Sequence, residues 1–100
     1  MSAGLPENDM THRFSATIIQ NGDMDAGYII VPVDIRKEYG KGRLKVEATF
    51  DGHPYSGSVV NMGVKDAEGN TCYIIGITKA IRKTIGKTFG DSVEVTIIPQ

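Results

Sequence analysis

The chain nearly repeats itself, and that constrains its fold more than any other feature. Tyr28-Ile29-Ile30 returns as Tyr73-Ile74-Ile75, Ile35-Arg36-Lys37 as Ile81-Arg82-Lys83, and Gly40-Lys41 as Gly86-Lys87. Val46-Glu47 with Thr49 returns as Val93-Glu94 with Thr96. Offsets of 45, 46 and 47 imply two single-residue insertions, and eleven of the twenty-two positions from Tyr28 to Thr49 match. Chance would give about one or two, because even common residues make up only about 7% of a sequence. Two copies of one supersecondary unit, near 28–49 and 73–96, are therefore expected to close around a shared core through a pseudo-twofold. The repeat speaks to architecture and carries no chemistry.

Local signals fill in each copy. Arg13 to Gln20 alternates loosely and reads as an opening strand, followed by turn chemistry at Asn21-Gly22-Asp23. Tyr28 to Val31 is a short apolar run consistent with a strand covered on both faces, and Pro32 suits the first turn of a helix. Ile35 and Tyr39 form that helix's buried stripe, and Gly40 stops it. From Arg43 to Phe50, Leu44, Val46, Ala48 and Phe50 alternate strictly with polar residues, which predicts a half-buried strand. Asp51-Gly52 is a strong hairpin signal returning the chain through Tyr55 to Val60, and Asn61-Met62-Gly63 and Asp66 to Asn70 read as loops.

The second copy reads as strand (72–77), helix (78–85) and strand (92–98). Thr78 is its helix cap, Gly86 its stop, and Val93, Val95 and Ile97 its inward face. Helices of about two turns cannot stand alone and must cap a sheet. The expected fold is mainly β, a small barrel of six or seven strands covered by two short helices, spanning 11–100 behind a flexible polar leader at residues 1–10.

The half-unit of apolar strand, Pro, short helix with Ile-Arg-Lys, Gly, then Gly-Asp-x-Val-x-Val resembles the swapped-hairpin module of AbrB- and MazE-type regulators. Its residues are Ile30-Val31-Pro32, Ile35-Arg36-Lys37 and Gly40, then Ile81-Arg82-Lys83, Gly86 and Gly90-Asp91-Ser92-Val93-Glu94-Val95. In those regulators each chain supplies one unit and a dimer closes the barrel. This chain holds both units, which implies closure as a monomer.

From Phe14 to Ile97 the sequence more specifically resembles bacterial domain-of-unknown-function family 1905. That likeness rests on Gly40-Lys41-Gly42-Arg43, Ala48-Thr49-Phe50-Asp51-Gly52, Pro54-Tyr55, Gly57-Ser58-Val59-Val60-Asn61-Met62-Gly63, Tyr73-Ile74-Ile75-Gly76 and Gly90-Asp91. It implies a double-split pseudo-barrel and no activity.

Charge gives the one hint of a partner. The net charge is −1, but residues 33–50 sum to +2, and residues 77–90 to +4 with no acid at all. Arg36, Lys37, Lys41 and Arg43 from the first copy, with Lys79, Arg82, Lys83 and Lys87 from the second, are the candidate ligand- or anion-binding residues. Against them stands the plainer reading that these side chains solvate short helices and complement their C-terminal dipoles. DNA-binding relatives of the half-unit carry Gly-Arg before the apolar strand, where this chain has Gly27-Tyr28 and Cys72-Tyr73. That departure and the net negative charge argue against specific DNA binding.

Other chemistry finds little support. His12, His53 and Cys72 lack metal-site spacing, Ser56 and Ser58 lack a nucleophile elbow, and no cofactor motif is present. Tyr28, Tyr39, Tyr55 and Tyr73 read as core or rim residues, and Cys72 as a buried, inert thiol. Neither an export signal nor an apolar run long enough to span a membrane is present, so a cytoplasmic protein is expected. The expectation is a non-enzymatic module for a protein or anionic small-molecule partner, with an AbrB-like nucleic-acid-binding regulator as the alternative.

Overall fold

The structure, a computed structural model, describes residues 11–100; the leader expected at 1–10 lies outside them. Seven strands are present: β1 (His12–Thr17), β2 (Ile19–Gln20), β3 (Gly27–Val31), β4 (Arg43–Phe50), β5 (His53–Lys65), β6 (Thr71–Ile77) and β7 (Ser92–Pro99). Two helices, α1 (Ile35–Tyr39) and α2 (Lys79–Ile85), follow β3 and β6. The strands form one antiparallel sheet in the order β1-β7-β4-β5-β6-β3-β2, curled into a half-barrel. Its two end strands are consecutive in the chain, separated only by Ile18.

Strict alternation decides which face each strand buries. Leu44, Val46, Ala48 and Phe50 on β4 and Val93, Val95 and Ile97 on β7 point into one core, joined by Ile29, Val31, Ile75 and Ile77. Ile35 and Ile81 bring the helices onto it. The tight turn between β4 and β5 has Asp51 at φ 51° and Gly52 at φ 84°, the two positive φ values that a two-residue hairpin with right-handed twist requires. Both helices end on a left-handed glycine, Gly40 and Gly86. Thr78 caps α2, its Oγ1 accepting from the Ile81 N–H at 3.2 Å.

Four local expectations are corrected. Pro32 does not open α1; the cap is Asp34, whose Oδ1 accepts from the Lys37 N–H at 3.1 Å. A carboxylate that takes up an unpaired N–H of the first turn sets the start more firmly than a residue that merely tolerates it. The opening strand is two strands, because the chain changes partner at Ile18, from β7 to β3. Asn61-Met62-Gly63 is no loop but part of β5: Asn61 pairs with Tyr73 of β6, and Met62 and Gly63 fall in an irregularity that ends where Lys65 meets Thr71. Cys72 is half-buried rather than buried.

Candidate functional site

β5 is the strand that shapes the surface. Over His53–Val60 it pairs with β4, and from Val60 to Lys65 it pairs with β6, with an irregularity between Asn61 and Lys65. β6 pairs with β3 from Tyr73 to Ile77, yet meets β5 only from Ile74 onward towards its own start. The two neighbours therefore part beyond Val60 and Ile74. Tyr55–Val59 have no partner in β6, and Ile75–Ile77 none in β5.

Tyr55 stands at this parting. Its ring packs on Phe50, with centroids 5.9 Å apart at 41°. It also leans along its own strand over Gly57, where a Cβ would come within 2.5 Å of the ring, so glycine at 57 permits that pose. One side of Tyr55 borders an open groove of about 590 Å³ with Gly42, Arg43, Gly57, Ser58, Val60, Asn61 and Met62. The other side borders a space of about 340 Å³ with Gly76, Ile77, Thr78 and Lys79. A row of directly opposed residues, Ile30, Ile74, Val60 and Arg43, crosses the outer face and ends at the groove. Met62, 63% exposed, also lines the groove.

The eight candidate cations divide into two groups. Lys79 Nζ is 2.9 Å from the Asp25 carboxylate. Arg82 Nη2 donates to the same carboxylate at 3.1 Å and to the Asp25 carbonyl at 3.2 Å. Its guanidinium lies 4.6 Å from the centre of the Phe89 ring and is buried rather than displayed. Lys87 Nζ reaches Asp51 at 2.7 Å and the Ser92 carbonyl at 2.6 Å. By contrast, Arg36, Lys37, Lys41, Arg43 and Lys83 form no ion pair among the described residues. Arg36 extends over Gly42, where a Cβ would lie 2.8 Å from its Nη2, and with Lys37 it borders a second open space of about 430 Å³ beside Asn70 and Thr71. Arg43 opens onto the β5 groove.

Charge counted along the sequence therefore misleads about charge in space. The acid-free segment 77–90 has three of its four cations in ion pairs, Lys79 and Arg82 sharing Asp25 and Lys87 on Asp51, both acids on distant turns. The mixed segment 33–50 keeps its cations out of ion pairs among the described residues. Sequence reasoning missed Asp25 and Asp51 because nothing local marks an acid as the partner of a base so far along the chain. The signal at Tyr55 and Gly57 was legible only as a family motif.

The same contacts set the behaviour in acid. Hydrogen bonds from Lys79 and then Arg82 hold Asp25 below its ordinary pKa of 3.8, and those from Lys87 and the Glu94 N–H do so for Asp51. A pKa depressed by folding adds stability above the unfolded value that is lost as pH falls through the folded one. The urea midpoint should thus hold from about pH 6 to pH 5 and drop below about pH 4, and Asp51→Asn should flatten the drop. Urea unfolding followed by circular dichroism at each pH reads both effects.

No curated protein matches the chain. The family model described as Domain of unknown function (DUF1905) matches residues 14–97, nearly all of the described fold. With β1 to β7, both helices and the parting at Tyr55 all within or touching that span, the chain belongs to the DUF1905 family.

Proposed function

We propose that the protein is a non-enzymatic binding module that takes an anionic ligand along the β5 groove, beside Arg43 and Arg36. The observation that carries this reading is the unequal neutralisation of the cations. Those on and after α2 are mostly spent on Asp25 and Asp51, while Arg43 and Arg36 stay unpaired next to open space. Unpaired guanidinium groups with neighbouring hydroxyl and amide groups, here Ser58 and Asn61, suit carboxylate or phosphate oxygens. The nucleic-acid reading loses support from the same facts, because Arg82, the repeat mate of Arg36, is buried and paired.

We further propose that the chain is a monomeric double-split barrel of two related halves. The register supports this: Thr49 directly opposes Thr96 with their hydroxyls hydrogen-bonded, and Ile29 and Ile30 oppose Ile75 and Ile74. The likeness extends to the partner-switching strands. His12, Phe14 and Ala16 face Ile97, Val95 and Val93, as His53, Tyr55 and Gly57 face Phe50, Ala48 and Val46.

Titration calorimetry with citrate and tripolyphosphate tests the binding. Both should bind weakly at low ionic strength and lose most affinity at about 150 mM salt, where the screening length is about 8 Å. Arg43→Glu should weaken binding by about tenfold, while Lys83→Glu on the exposed face of α2 should change it by less than about twofold. Equal losses in the two variants, or no binding at low salt, would remove the reading.

A further inference from the structure

We propose that the parting of β5 from β6 is a strand-addition site, and that its ligand is an extended acidic peptide segment of a partner protein. This rests on the groove reading above and specifies its ligand class. In an antiparallel ladder every second residue of a strand turns its N–H and C=O away from a given neighbour. Along Tyr55–Val59 those groups turn away from β4 towards β6, which pairs with none of these residues. A run of unpaired backbone groups inside a sheet, rather than at its rim, is complemented in spacing and polarity by another extended backbone.

Two features keep this edge accessible. Gly57 carries no side chain, and Tyr55 lies along its own strand over that glycine, so the ring flanks the edge as an apolar platform. Across the parting Gly76 likewise has no side chain, and a Cβ there would meet nothing closer than the Gly27 carbonyl at 3.9 Å. The open groove runs along this stretch of β5 and ends at Arg43, which forms no ion pair among the described residues. A peptide added along Tyr55–Val59 would run about 13 to 17 Å and bring its end to that guanidinium, which selects for acidic side chains. Neutral small molecules would leave the backbone edge unsatisfied, and a folded partner surface would not enter the parting.

Fluorescence anisotropy with a labelled heptapeptide of alternating valine and glutamate tests this on the intact protein. The comparison probe is the same peptide N-methylated at alternate amides, which keeps charge and side chains but removes backbone donors. N-methylation should weaken binding by about tenfold or more, as losing backbone hydrogen bonds at a desolvated edge requires. Gly76→Val, which puts a branched side chain at the rim of the space that Gly76 shares with Tyr55, should weaken peptide binding by a similar factor at an unchanged melting temperature. It should leave citrate binding within about twofold, because the anion needs only the Arg43 end. Equal affinity for the two peptides, or full peptide affinity in Gly76→Val, would overturn strand addition while leaving the anion reading intact if citrate still binds. Failure of both peptide and citrate to bind would remove both readings.

Discussion

Truncating Phe50 to alanine should lower the free energy of unfolding by about 3–5 kcal/mol, a large part of the ~5–15 kcal/mol that holds a domain of this size together. Phe50 is the largest of the fully buried side chains, with no exposed surface, at the end of the inward face of β4. Its neighbours across the ladder are His53 and Val95, and its ring supports that of Tyr55. The loss combines removed apolar contact with a cavity that a curled sheet, pinned by hydrogen bonds on both sides of β4, cannot collapse. Glu47, three residues earlier on the outward face, accepts hydrogen bonds from the Ser56 hydroxyl at 2.7 and 2.9 Å and is exposed. Glu47→Ala should cost only about 0.5 kcal/mol. Urea unfolding of both variants decides the matter, and similar losses would mean that the inward face of β4 does not carry the core. Because Phe50 supports Tyr55, its truncation should also weaken anything bound at the parting of β5 and β6.

Arg82→Ala should be the second most damaging change, at about 2–4 kcal/mol, whereas Arg82→Met should lose about 1.5 kcal/mol or less. The guanidinium is a buried cation clasped between the Asp25 turn and the Phe89 ring, and it ties the loop before β3 to α2. Alanine removes the cation–π contact, the hydrogen bonds and the packing of the aliphatic stem together. Methionine keeps much of the volume over Phe89 and removes a charge whose burial was unfavourable, as its unpartnered Nε attests. Asp25 is left exposed with Lys79, so neither variant strands a buried carboxylate. Thermal and urea unfolding of the pair separate the contribution of shape from that of charge. If methionine proved as damaging as alanine, the ion pair itself would be what holds the loop.

Much of this fold could be read from residue order, because its determinants are local. Alternation from Arg43 to Phe50 and from Ser92 to Ile98 assigned the inward side chains correctly, since successive strand residues must face opposite ways. Asp51-Gly52 specified a turn of the right length, and Gly40 and Gly86 ended both helices, because each position needs a positive φ that few residues tolerate. Thr78 as a cap needed only its own hydroxyl and the chain three residues on.

What tertiary structure alone decided concerns partners far apart in sequence. The chain changes neighbours at Ile18 and again along β5, and the segment expected as a loop at Asn61-Met62-Gly63 became an irregular stretch of strand because β6 pairs on either side of it, at Asn61 and Lys65. Burial of Arg82 likewise depended on Asp25, 57 residues away, and on Phe89, so most cations of a basic segment with no local acid became ion-paired in space. Backbone preference and periodicity act over a few residues and survive in the sequence. Strand pairing and charge neutralisation act through contacts that exist only once the sheet has curled, and those contacts set both the open edge at Tyr55 and the cations left beside it.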